Sequence, residues 1–211
     1  MIDSFLKSVL FGDEGSYKIF GIRANFENEP SYPSVSLEGA GLISKMAYKC
    51  LNSNAFRWIT QGYAHVFIHE LGHALACKLL TNQISTIHVS KSTCAGIATF
   101  STVEFAHASD WKKTIVNVAG PLGNIAFSSC KLVAATALKN YLSWPIALAL
   151  GSGGVIWISG ELFYACISVS NRDAGDFGRI ARRGGAHLAL AGTALVSQVA
   201  LGIFAAIKLA A

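Results

Sequence analysis

Apolar residues gather into four long runs along this chain, at about Trp58 to Leu80, Thr114 to Leu138, Trp144 to Ser170 and His187 to Ala211. Each is long enough to form an α-helix across a hydrocarbon core, which takes about 20 residues. The last three carry one charge apiece: Lys131, Glu161 and Lys208. The first is less hydrophobic, which suits a helix shielded by the others and lining a wet cavity. Tyr141 and Trp144 fall where interfacial aromatics are expected.

Residues 1–41 are the most polar part. Met1 to Phe11 predicts a short amphipathic helix on the membrane surface, with Ile2, Phe5, Leu6, Val9 and Leu10 on one side. Tyr17 to Phe26 alternates like a strand, Glu27 to Pro33 has loop composition, and Leu42 to Cys50 continues as a helix. Between the first two runs, Ile84–Ser90 and Ile97–Val103 predict two strands joined across Lys91–Gly96. That hairpin is either a plain extramembrane element or an edge strand able to hold a substrate segment by strand addition. Gly151, Gly153, Gly154 and Gly160 make the third run a small-residue helix, read as one that packs closely and less readily as one that unwinds. The expected fold is mainly α: a polytopic membrane helical bundle of about four spans, with a small β-hairpin after the first. Residues 1–41 form a partly irregular, interfacial segment, and residues 42–211 form the embedded core.

Composition supports a membrane protein. Of 211 residues, 52% are hydrophobic and 14% charged, where soluble chains carry about a quarter charged; the mean hydropathy is +0.44. The net charge of +5 is scattered. It suits an anionic membrane surface and excludes nucleic acid as a partner, because no basic stripe with interleaved aromatics is present. The N-terminus lacks the charged and apolar regions of a cleavable signal, so the later helices must carry insertion. Arg172, Arg179, Arg182 and Arg183, with Lys112 and Lys113, lean two loops towards the cytoplasmic side. The five cysteines form no C-x-x-C pair and read as packing residues, Cys77 included, although it lies one turn after His73.

The chemistry concentrates in His69-Glu70-Leu71-Gly72-His73. Residues four apart share one helix face, so His69 and His73 can aim two imidazole nitrogens at one metal ion. Glu70 is near enough to take a proton from a water that the metal activates; zinc brings the pKa of such a water to about 7. Two histidines and a glutamate would be costly to bury in an apolar helix without a partner. Catalytic zinc commonly has three protein ligands and an open position. Residues offering the third are Asp176, Asp173, Glu161, Glu104, His88 and His107. His65, one turn before His69, reads as an ordinary polar residue near the helix start, or else as a wall of the cavity or a group supporting the ligands from behind.

Two further segments carry a resemblance. Val118-Ala119-Gly120-Pro121-Leu122-Gly123-Asn124 and Gly175-Asp176-Phe177-Gly178-Arg179-Ile180, with the H-E-x-x-H helix, resemble the site-2 protease family of intramembrane zinc metalloproteases. The resemblance runs from about Ala64 to Ile180. It implies that residues 42–211 are a metalloprotease core, that His69, His73 and Asp176 bind Zn2+, that Glu70 is the general base, and that Asn124 supports the substrate or oxyanion. Its substrates would be transmembrane proteins cut in or near their spans, and its location an integral, multi-pass one in the cell or inner membrane. The family's Leu-Asp-Gly is Gly175-Asp176-Phe177 here, and its preceding Asn-x-x-Pro is replaced by Ser168-Val169-Ser170-Asn171. The competing expectation is a non-catalytic metal-binding membrane protein, such as a sensor, a transporter or an inactive relative. A transporter would show ligands in repeated halves, and this chain has no internal repeat.

Overall fold

The computed structural model describes residues 2–28, 53, 61–91, 95–99, 102–170 and 175–210. The helix expected over Leu42–Cys50, most of the Glu27–Pro33 loop and the start of the first apolar run lie outside the described residues.

Helix α1 (Ile2–Phe11) leads into a hairpin of β1 (Gly15–Ile19) and β2 (Ile22–Glu27). Its turn residues Phe20 and Gly21 both have positive φ, 51° and 76°, the mirror-image turn that suits the strands' twist. In β2 the side chains of Ile22, Ala24 and Phe26 alternate into the core, the period of two expected of a half-buried strand. Strand β2 then pairs in parallel with β3 (Thr86–Ser90), which pairs antiparallel with β4 (Ala95–Thr99). The order is β1-β2-β3-β4, so among the described residues β4 is an edge. Where the sequence predicted an isolated hairpin after the first run, the structure shows a four-stranded sheet. Local alternation identifies a strand but carries no information about a parallel partner some sixty residues away.

The sheet packs on α2 (Gly62–Thr81), burying Tyr63 and Phe67 against Ile22, Phe26, Ile87 and Val89. Phe5 of α1 joins this core, edge-on to Phe67 at 5.7 Å and to Tyr17 at 5.2 Å. The apolar side expected of α1 is therefore divided. Phe5 and Val9 pack on the sheet and α2, while Ile2, Leu6 and Leu10 remain exposed.

After the short α3 (Thr102–His107) come α4 (Asp110–Ala137), α5 (Trp144–Ser170), α6 (Asp176–Arg182) and α7 (Gly185–Ala210). Helix α4 is central, packed against α2, α5 and α7. It meets α2 where Gly72 leaves room for the Ala119 carbonyl, and α5 where Gly154 faces the Ser128 carbonyl and Leu132. Close packing is thus what Gly154 provides, within a continuous α5. Beside Gly160 lies open space. Outward faces of α5 and α7 expose Leu148, Phe163, Ile167, Val196, Leu201, Phe204 and Ile207, apolar surface of the kind a bilayer covers.

Among the described residues three helices are long and apolar enough to cross a membrane: α4, α5 and α7. Helix α2 is not one of them, so the expected count of about four is not confirmed. The physical reason is its setting. It packs against both the sheet and α4 and turns His69, Glu70 and His73 to a cleft, and nothing in that environment requires a uniformly apolar surface.

Candidate metal centre

Helical spacing places His69 and His73 on one face of α2, ring centroids 4.8 Å apart. The first residue of α6 completes the cluster. Nε2 of His69 lies 3.3 Å and Nε2 of His73 lies 3.4 Å from Oδ2 of Asp176. One ligand atom from each of the three falls within 4.8 Å of the others. With zinc–ligand bonds of about 2.0–2.1 Å, a tetrahedral site separates its ligand atoms by about 3.3–3.4 Å. The donor set and its spacing therefore fit a zinc-sized ion.

Asp176 is held from α5. The Tyr164 hydroxyl donates to Oδ2 of Asp176 (3.2 Å) and accepts the Asp176 backbone N–H (3.0 Å), while the Gly178 N–H donates to Ser168 Oγ (2.8 Å). Gly175 permits this docking. Its φ of +73° is in the left-handed region, and a Cβ there would run into Ser168 and Tyr164. Burial opposes the charge on Asp176, but the imidazoles of His73 and His69 outweigh it and hold the carboxyl well below the usual carboxylate range.

The outer ring nitrogens set the orientation of the inner ones. A carbonyl only accepts, so Nδ1 of His73 donates to Val116 O at 2.7 Å. Nδ1 of His69 faces Oε1 of Glu161 at 3.2 Å. When the imidazoles are neutral, both Nε2 atoms keep their lone pairs on the side of Asp176, the arrangement of a metal-ligating histidine backed by an acceptor. When protonated, they donate to its carboxylate instead. Glu161, one residue offered for the third ligand position, thus lies against the opposite nitrogen of His69. His88 pairs with Glu27 in the sheet at 2.8 Å, and His107 is exposed at the end of α3. Asp173 and the side chain of Glu104 lie outside the described residues. Cys77 is fully buried beside Thr81, a packing residue.

His69, Glu70, His73 and Asp176 open on a cleft of about 760 Å³ whose other walls include Gly96 to Thr99 of β4, Phe105, Asn117 and Arg179. Gly96 sits so close to α2 that a Cβ would meet Val66 Cγ1 at 2.7 Å and Glu70 Cγ at 2.8 Å. An open sheet edge and the H-E-x-x-H face therefore line one space.

A model of the Peptidase M50B-like family matches residues 46–170, more than half of the chain. The chain belongs to the M50B-like peptidase family, the site-2 protease family. No curated protein and no solved structure matches it. Asp176 lies just beyond the matched residues, so its place in the cluster comes from geometry. Family and apolar helices together make this a membrane protein.

Behind the cluster of this M50B-like peptidase, Asn124 is buried and is not among the residues lining the cleft. Its Nδ2 donates to Oε1 of Glu161 at 2.5 Å, and its Oδ1 bonds Nδ1 of His65. His65 stands in the first turn of α2, as expected, but it is fully buried, stacked on Trp157 at 4.4 Å and 3.1 Å from the Lys131 ammonium, and does not wall the cleft. Sequence reasoning missed Tyr164, for which no local signal exists. It also left Lys131 unassigned, although a lone charge within an apolar span was a visible signal.

Proposed function

We propose that this protein is a multi-pass, zinc-dependent endopeptidase that hydrolyses peptide bonds in or near transmembrane segments of membrane-protein substrates. What carries the reading is one cleft that unites the His69–His73–Asp176 cluster, Glu70 and the open edge of β4. A zinc ion held by His69, His73 and Asp176 would supply Lewis acidity for the scissile carbonyl and a water acidic enough to react near neutral pH. The Glu70 carboxylate takes the proton of the attacking water and delivers it to the amine leaving group. Among the described residues nothing hydrogen-bonds Glu70, which leaves its oxygens available. A peptide must be extended before its carbonyl can be attacked, because a helix hides its amides. The edge of β4, Gly96 to Thr99, which no other described strand pairs with, offers an extended substrate strand a backbone to pair with beside Glu70.

The test is zinc content and cleavage by the detergent-purified protein, assayed on a fluorescent transmembrane peptide. Wild type should bind about one zinc and cleave, Glu70→Gln should keep zinc and lose cleavage, and Asp176→Asn should lose both. Zinc without cleavage across a broad peptide panel would favour a binding role, and wild type without zinc would end the proposal.

A further inference from the structure

Four buried side chains and the half-buried His69, on three helices, form one hydrogen-bonded line that ends at the candidate metal cluster. The Lys131 ammonium of α4 lies 3.1 Å from Nε2 of His65 on α2. An ammonium only donates, so Nε2 accepts and the ring proton resides on Nδ1. That N–H can only meet an acceptor, which assigns the bonded atom of Asn124 as Oδ1. The Asn124 amide therefore turns Nδ2 to Glu161 Oε1, at 2.5 Å, the oxygen that also faces His69 Nδ1. Every bond direction follows from the donor-only cation at one end. His65 (0% exposed), Asn124 (1%), Lys131 (4%) and Glu161 (6%) are all buried.

We infer that Glu161 is the positioning residue for His69, and that Lys131, acting through His65 and Asn124, holds Glu161 in that role. The inference rests on the metallopeptidase reading of the cluster. Glu161 accepts the Nδ1 proton of His69, which commits Nε2 to the metal. Lys131 prevents the opposite amide orientation, in which Asn124 Oδ1 would confront Glu161 Oε1 with lone pair against lone pair. It also places a cation at the other end of the line from the Glu161 carboxylate, within a span where an isolated charge is costly. Asn124 in this arrangement acts from behind the site, through Glu161, and not on the substrate.

The experiment measures zinc affinity by chelator competition on the full-length detergent-purified protein, with Co2+ absorption spectra of the same variants as a second readout. Glu161→Gln should weaken zinc by about 10–100-fold, the usual effect of losing a partner of a metal-bound histidine, and shift the Co2+ bands. Lys131→Met should weaken zinc in the same direction, and the double variant should be no weaker than Glu161→Gln alone, since both act along one line. Asn124→Asp, nearly isosteric and so little threat to folding, should weaken zinc by the same order because it sets an acceptor against Glu161. Wild-type zinc affinity and an unchanged Co2+ spectrum in Glu161→Gln or Asn124→Asp would overturn the inference while leaving the metallopeptidase reading intact. Additive losses in the double variant would remove Lys131 from it. Absence of zinc in wild type would instead overturn the reading beneath it.

Discussion

Gly120 of α4 lies against the imidazole of His73, so near that a Cβ at position 120 would overlap the ring. Gly72, one residue before His73, makes the matching approach from α2 to the Ala119 carbonyl. This close crossing brings the Val116 carbonyl within 2.7 Å of His73 Nδ1. Two glycines in two different motifs thus set the aim of one candidate ligand.

Gly120→Ala should displace the His73 ring and weaken zinc by at least about tenfold, with a stability loss of about 1–3 kcal/mol from overpacking. Gly160→Ala is the control, since a Cβ there meets nothing within 4 Å and alanine favours a helix over glycine by up to about 1 kcal/mol. Chelator competition and thermal unfolding of both variants check the pair. Equal zinc affinity in the two would remove the role given to the crossing.

Tyr164→Phe removes both the hydroxyl donor to Asp176 Oδ2 and the acceptor of the Asp176 N–H. Oδ2 keeps the histidines, but leaving the buried Asp176 N–H without Tyr164 costs about 1–3 kcal/mol. We expect zinc affinity to fall by about tenfold, the range for an outer-shell partner, and kcat/KM to fall with it. Titration of zinc into the chelator-stripped variant measures the first effect.

Gly96→Ala presses a methyl group onto Val66 and Glu70 from β4. Both neighbours are side chains that can give way, so the fold should persist. The expected outcome is a fall in kcat of several-fold with zinc content unchanged, because Glu70 is moved while the cluster is not. Zinc loss in this variant would contradict that separation.

Acidification should release zinc with a two-proton dependence. Ligands bind metal deprotonated, so each imidazole that must shed a proton lowers affinity about tenfold per pH unit below its pKa. Burial works against the charged rings, but Asp176 outweighs it and raises both above the ordinary 6.5, so both are protonated below about pH 6. Asp176 is held well below the usual carboxylate range by His73 and His69 against the opposing effect of burial, so it keeps its charge and adds no third proton above about pH 4. Zinc affinity measured between about pH 6 and 4 should therefore fall about 100-fold per unit; a 1000-fold slope would show Asp176 titrating with the histidines.

How legible the site was depended on sequence distance. His69, Glu70 and His73 stand in one helical turn, where a period of 3.6 residues converts spacing directly into a shared face. Asp176 is 107 residues from His69, and local pattern left it level with Asp173 and Glu161; only resemblance to a family favoured it, and helix docking through Tyr164 and Gly178 shows why it can reach the histidines. Glu161 was visible as a carboxylate within an apolar run, but which nitrogen of which histidine it meets depends on the packing of α5. His65 was seen and underrated, since its partners Asn124 and Lys131 are 59 and 66 residues away.

By itself the sequence determined the elements: three long apolar helices, the histidine helix, alternating strands and the residue types able to hold a metal. These follow from short-range periodicity and side-chain chemistry, which need no partner to be read. Tertiary structure decided the assembly. It placed β2 beside β3 in parallel, left β4 as the edge beside Glu70, and turned Glu161 and Asn124 to the back of the site. Those outcomes depend on which buried surfaces and hydrogen-bond donors find complements across the bundle, and that is a property of packing between segments distant in the chain.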